Sequence, residues 1–289
     1  MPPNSDGTWC VPTNRKGMTT ESLQNKKYAF LGAGIIAGVF IERLIKARVA
    51  EPNSILATDV RTDRLDDLRT RFNIQTDPKN RKAAEFGDIV FLAVPPNVVG
   101  TVLAEVQPAL HGGKLLVSLA ACIPTSYMEA VLANPIAILR IIPNTPSLIG
   151  SGMNPYCLGK TWNEGQETVA AQLLAVFGES VKLPEDLMNA ATALTAVGPT
   201  YIFPALQALQ DAAAAHGLPP EIAMKAAAQT AMGAAQMVLA TGRNPDDLKL
   251  MIGTRTLDEA AARNLFTTAW DSAYTKLSQS QQKLTAAAT

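Results

Sequence analysis

Gly32-Ala33-Gly34-Ile35-Ile36-Ala37 lies between a short apolar run, Tyr28 to Leu31, and a segment from Ile35 to Ala47. In that segment Ile36, Val39, Phe40, Leu44 and Ile45 share one helical face. A strand, a G-x-G-x-x-[GA] turn and a helix in this order constrain the first half of the chain more than any other feature. Gly32 permits the tight turn, Gly34 lets backbone approach a pyrophosphate, and Ala37 lets the helix pack closely on the strand. The helix start at Ile35 and Ile36 offers free N–H groups and a partial positive charge to phosphates. A plain glycine turn is the alternative. The strand-to-helix context favours a dinucleotide.

The rest of the first half keeps the same alternation. Strands are expected at residues 54–58, 88–94, 114–119 and 136–142, and helices at 64–72 and 98–106. Continuous apolar strands separated by helices imply a mostly parallel sheet covered on both faces. In such sheets ligands bind at the carboxyl ends of the strands. Candidate cofactor contacts there are Ala93, Val94, Pro95, Asn97, Ala120, Ala121, Asn144 and Pro146. Asp59 ends the second strand, where a carboxylate accepts hydrogen bonds from ribose hydroxyls and repels a 2′-phosphate. Arg61 and Arg64 stand close by, and arginine suits a 2′-phosphate. The set therefore reads either as a cofactor selector favouring NAD(H) over NADP(H) or as a solvated charge run.

From Pro184 onward the chain is rich in alanine and strand-like runs disappear. Helices are expected over 185–195, 199–216, 220–241 and 257–284, with Gly217 and Gly242 as stops. Alanine on several faces suits a compact bundle or a helical dimer interface. The expected fold class is α/β: a Rossmann-type dinucleotide-binding domain over 27–184, then an all-helical dimerisation and substrate domain over 185–289. Residues 1–26, polar and rich in proline and glycine, read as a disordered tail. Met18 is a second candidate start.

Composition narrows the partners. Twenty-five basic residues balance twenty-five acidic ones, so no net field attracts nucleic acid or an anionic membrane. No run has the length of about 18 apolar residues that a membrane helix needs. Three cysteines and two histidines provide neither a disulfide framework nor a metal site, and fit a reducing, cytoplasmic compartment. A small-molecule substrate is expected, with the chain itself as partner.

Two further motifs refine the chemistry. Arg140-Ile-Ile-Pro143-Asn144-Thr145-Pro146 places a rigid loop after a strand, with Asn144 able to donate and accept hydrogen bonds. A plain turn is the alternative. Thr195-Ala196-Val197-Gly198-Pro199-Thr200-Tyr201 breaks one helix and starts the next. Together with Phe91–Val94, Ser118-Leu119-Ala120-Ala121, Gln229-Thr230 and Gly233-Ala234-Ala235-Gln236-Met237, these motifs resemble the pyrroline-5-carboxylate reductases over roughly residues 27–284.

The resemblance implies hydride transfer from NAD(P)H to the C=N bond of a cyclic imine, giving proline, in a homodimer with its active site between the domains. It implies Thr195 and Asn144 as catalytic residues and Val197, Gly198, Pro199, Thr254 and Arg255 as substrate contacts. Departures concentrate on the substrate side. The family's Ser-Pro-Gly-Gly-Thr-Thr stretch, which binds the substrate carboxylate, is shortened here to Leu250–Thr256. Its Ser-Gly-Ser is Thr195-Ala196-Val197, and its Lys-Pro-Gln is Pro95-Pro96-Asn97, without the positive charge. These departures lead to the expectation of a changed substrate, an imine with no carboxylate or with one placed differently, with Arg255 as a compensating charge or a surface arginine. The competing expectations are a related dehydrogenase acting on C–OH or a ring carbon, and a non-catalytic dimeric binding protein.

Overall fold

The computed structural model describes residues 21–286. β1 (Tyr28–Leu31) leads into α1 (Ile35–Lys46), β2 (Ile55–Thr58) into α2 (Thr62–Phe72), and β3 (Gln75–Asp77) into α3 (Asn80–Phe86). β4 (Ile89–Leu92), α4 (Val99–Val106), β5 (Leu115–Ser118), α5 (Thr125–Val131) and β6 (Ala137–Ile141) continue the alternation. β7 (Gly152–Leu158), α6 (Glu164–Phe177) and β8 (Gly178–Lys182) complete the sheet. The helices α7 (Met188–Thr195), α8 (Pro199–Ala215), α9 (Pro220–Thr241), the single turn α10 (Pro245–Leu248) and α11 (Glu259–Ala286) follow.

The sheet runs β3-β2-β1-β4-β5-β6-β7-β8. The strands from β3 across to β6 are parallel, β7 is antiparallel to β6, and β8 is parallel to β7. Every residue of β1, β2, β4, β5 and β6 is buried, which is why these strands read as largely apolar runs, with Arg140 the one charge among them. One face packs Phe30, Phe40, Phe91 and Phe177. Phe30 stacks on Phe91 at 4.4 Å between centroids, and Phe40 stacks on Phe177 at 3.9 Å. The other face packs Leu31, Val90, Leu92, Leu103 and Ile138. The reversal of strand order falls between β1 and β4, the position where open α/β sheets open a ligand crevice.

The chain divides into two compact units, one of which is Val197–Ala273. The other holds the sheet, α7 and the part of α11 from Tyr274 onward, so it extends past the boundary at Pro184 that composition suggests. Within it Asn189 Nδ2 donates to Gln281 Oε1 at 2.7 Å, and Leu284 packs on the apolar layer. The expected disordered tail is corrected where it can be seen. Residues 1–20 lie outside the described residues, but Glu21–Leu23 form a 3₁₀ turn. Leu23 is completely buried and its carbonyl accepts from Tyr28 Oη at 2.9 Å, while Ser22 Oγ donates to Gln172 in α6. An apolar side chain flanked by polar ones is enough to anchor this segment.

In the unit Val197–Ala273, α8 and α9 pack against each other and Ala223 alone is buried. Phe203, Leu209, Leu239 and Leu265 stay more than half exposed. A face of large apolar side chains on this scale marks an association surface. Among the described residues no helix is long and apolar enough to cross a membrane.

Candidate active site

The two glycines of the turn have different physical reasons. Gly32 has φ +102°, and a Cβ there would stand 2.7 Å from Ala93 O, so fold geometry requires glycine. Gly34 has φ −75°, and a Cβ there would meet nothing within 4 Å. Neither backbone strain nor packing explains the second glycine. A ligand approaching the backbone does. No side chain caps the first turn of α1, so the amides of Ile35 and Ile36 are available to an anion. Ala37 is fully buried against the sheet, as close helix packing requires. Ile35, the first residue of α1, is 87% exposed. A groove of about 360 Å³ runs from Ala33, Gly34 and Ile35 to Arg64 and Leu148. The residues at the turn fit a bound dinucleotide: an open cradle at Gly34 and uncapped amides at Ile35 and Ile36, beside a groove whose far side carries charged residues of α2.

Asp59 follows β2 beside the glycine turn. Its Oδ2 accepts from Ala33 N and its Oδ1 from Arg61 N, both at 2.9 Å, so the carboxylate also ties β2 to the glycine turn. The two arginines that could favour a 2′-phosphate are already paired. Arg61 grips Asp63 through Nε at 3.1 Å and through Nη2, and Arg64 Nη1 lies 3.5 Å from Asp59 Oδ2.

The strand order sets the remaining candidates in a row. Ala93 and Val94 follow β4 and touch Gly32 from the side, with Ala93 N donating to Leu31 O at 2.8 Å. Pro95 starts the 3₁₀ turn that contains Asn97. Ala120 and Ala121 follow β5, and Asn144 and Pro146 follow β6. All stand at the carboxyl edge of adjacent parallel strands. Beyond them the structure joins the two residues expected to be catalytic. Asn144 Nδ2 donates to the carbonyl of Thr195 at 3.2 Å, and Asn144 Oδ1 accepts from Met153 N at 3.1 Å. The Thr195 hydroxyl donates to Ala191 O at 2.9 Å, which leaves its oxygen free to accept. The substrate candidates belong to the other unit. Val197, Gly198 and Pro199 open α8, where Thr200 N donates to Val197 O at 2.8 Å. Thr254 and Arg255 sit in the exposed loop before α11.

Comparison with known proteins follows the same division. Residues 185–280 match the family model described as pyrroline-5-carboxylate reductase dimerisation, and residues 27–122 match one described as NADP oxidoreductase, coenzyme F420-dependent. A pyrroline-5-carboxylate reductase of Methanosarcina acetivorans is 32% identical over 253 residues, covering 84% of this chain and 94% of that protein. The chain belongs to the pyrroline-5-carboxylate reductase family. The structure of the Coxiella burnetii member aligns with a TM-score of 0.74 at 29% identity, covering 89% of this chain and 98% of that one. The Plasmodium falciparum pyrroline carboxylate reductase, solved with NADP bound, shares the fold with a TM-score of 0.78 at 23% identity, covering 91% of this chain and 99% of that one. The dimerisation match accounts for the exposed apolar faces of α8, α9 and α11 as surfaces for self-association.

One polar cluster escapes motif reading. Arg140, in the buried strand β6, is completely inaccessible and pairs through Nη1 with Glu185 Oε1. Glu185 Oε2 accepts from Thr125 N at 3.1 Å, Thr125 Oγ1 at 2.8 Å and Cys157 Sγ at 3.2 Å. Burial alone would raise the Glu185 carboxyl, but Arg140 and these donors outweigh it and hold it below the usual carboxylate range. Burial and the neighbouring Glu185 push the Cys157 thiol up to about 12, and burial raises Cys122, so neither is a thiolate nucleophile at neutral pH. The sequence signal was the arginine itself, a charge inside the apolar run IAILRII. Its partner lies 45 residues away and carries no local signature.

Proposed function

We propose that this chain reduces 1-pyrroline-5-carboxylate to L-proline, with NADH as its preferred donor. The observation that carries this reading is the Asn144–Thr195 bond at the same sheet edge as the open glycine turn. When bound, the reduced nicotinamide supplies a hydride. Added to the carbon of a protonated C=N bond, that hydride would give the secondary amine, with the one proton on nitrogen retained. A protonated imine is already electrophilic, and the protein supplies mainly proximity and orientation. Asn144 spends its amide holding Thr195 and Met153, and Thr195 Oγ, with its own proton donated to Ala191, can accept from the imine N–H. Incubation with NADH and 1-pyrroline-5-carboxylate should yield one proline per NADH consumed. Absence of proline would sink the reading.

Arg255 supports a role in holding the substrate carboxylate. It is exposed in the loop before α11, and no ion pair among the described residues engages it. Arg255→Ala should raise the KM for 1-pyrroline-5-carboxylate at least about tenfold, the loss of one charge-assisted contact, and leave the KM for carboxylate-free 1-pyrroline within about twofold. Equal KM values in wild type and variant for both imines would remove Arg255 from the site.

The NADH preference rests on Asp59 facing the ribose end with Arg61 and Arg64 both paired. Asp59→Asn removes the charge that opposes a 2′-phosphate. It should shift the ratio of kcat/KM for NADPH over NADH upward by at least about tenfold, or about 1.4 kcal/mol. An unchanged ratio would place cofactor choice elsewhere. We place the active form as a homodimer in the cytoplasm, a reading supported by the apolar helix faces and by the free thiols of Cys122 and Cys157.

A further inference from the structure

We propose that Glu185 is a positioning residue for the reaction, which fixes the start of α7 so that Thr195 at its far end stays bonded to Asn144. The inference rests on the reading above in that Thr195 and Asn144 are taken to touch the reacting groups. α7 is tied at both ends to one short stretch of chain. Glu185, just before the helix, is held by Arg140 in β6, and Thr195, at its last turn, is held by Asn144 just after β6. Arg140 and Asn144 are four residues apart, and the helix between their partners is about 12 Å long at 1.5 Å per residue. The two bonds therefore tie both ends of α7 to β6 and the loop after it, while the fully buried Met188 packs with Ile142 and Cys157 between them.

Two further observations favour geometry over stability as the role of this pair. Arg140 Nε and Nη2 are buried without a hydrogen-bond partner, and Glu185 is the ion-pair partner of this guanidinium among the described residues. A buried ion pair left half satisfied is a poor source of stability compared with apolar packing. In addition, Glu185 draws in α5 through Thr125 and β7 through Cys157, so with Arg140 its carboxylate gathers two strands and a helix at the start of the α7 segment. A misplacement of about 1 Å at a reacting group costs about 100-fold in rate, which makes such a brace consequential.

The test compares full-length wild type with Glu185→Gln by hydrogen exchange of the α7 amides and by steady-state kinetics. Glutamine keeps an acceptor but removes the charge that commits Arg140. Amides 191–196 should exchange at least about tenfold faster while those of β6 stay protected, because local opening is read out segment by segment. The kcat should fall by about 10- to 100-fold with the dinucleotide KM within about twofold, and Arg140→Lys, which keeps one charged donor, should stay within about threefold of wild-type kcat. If Glu185→Gln does not fold, Thr125→Val removes one bond to the same carboxylate and should show the same exchange pattern to a smaller degree. Exchange in α7 equal to wild type, or a lowered Tm with unchanged kcat, would overturn the inference. The exchange measurement needs no substrate, so a wild type that fails to turn over 1-pyrroline-5-carboxylate would sink the proposed function while the α7 result still decides this one.

Discussion

Gly34→Asp should keep the fold and lose the cofactor: Tm within about 2 °C of wild type, and KM for NADH and NADPH raised at least about 100-fold. The first half follows from φ of −75°, which any residue adopts, and from the empty space that the added Cβ would enter. The second half follows from electrostatics. A carboxylate at the uncapped start of α1 would face the pyrophosphate at a few ångströms, where like unit charges repel by about 4 kcal/mol at an effective dielectric of about 20. The neighbouring position makes the contrast. Gly32→Ala forces a side chain into a left-handed backbone with its Cβ 2.7 Å from Ala93 O and 2.9 Å from Ala93 C. It should cost about 2–4 kcal/mol of folding stability, from strain and overpacking together. Calorimetry and cofactor titration of the two variants separate the roles. A Gly34→Asp protein that binds dinucleotide normally would mean the groove at α1 is not the cofactor site.

Removing the Glu185 carboxylate should have the largest effect on stability. Glu185→Ala leaves the fully buried Arg140 guanidinium without its counter-ion, and breaking a buried pair in this way costs about 3–5 kcal/mol. The double variant Arg140→Met, Glu185→Leu should recover most of that loss in urea denaturation, because it removes both charges instead of stranding one. The same double variant should stay slow as an enzyme if the pair acts through the placement of α7. The pH dependence has a defined sign. The folded carboxyl titrates below its ordinary value of 4.5, so the unfolded chain binds more protons across that window. The stabilisation is therefore complete above the ordinary value and is lost as pH falls through the lower folded one. The gap in stability between wild type and Glu185→Ala should narrow in acid, and a constant gap down to about pH 3 would contradict the pairing.

The first half of this fold was legible because its strands are buried on both faces. Burial on both sides writes a strand as an apolar run, and DIVFLAV and KLLVSL need no further decoding. The elements that went unseen are those whose burial is one-sided or brief. β3 is three polar residues, and β7 contains Asn154 and Pro155 inside a pattern that alternates with exposure. α6 did carry a signal: Asn163 and Gln166 form a capping box at its start, the N-x-x-Q spacing that opens a helix. Leu23 shows the opposite failure, a single apolar residue that anchors a segment whose composition suggests none.

The site divides along the same line. Gly32, Gly34, Asp59 and the Pro-Asn-Thr-Pro loop are local in sequence and could be read as motifs with a mechanism. The Asn144–Thr195 bond spans 51 residues and the Arg140–Glu185 pair spans 45, so neither leaves a trace at any fixed spacing. An arginine in an apolar strand announces that a buried partner exists, since an unpaired buried charge is too costly to keep. It does not say which carboxylate answers it.

The most direct measurement follows the hydride. Reduction of 1-pyrroline-5-carboxylate with NADH doubly deuterated at nicotinamide C4 should give proline carrying one deuterium on the ring carbon that formed the C=N bond. Proline lacking that deuterium, or no proline from a protein that binds NADH, would contradict direct transfer from a dinucleotide held at the glycine turn to a cyclic imine.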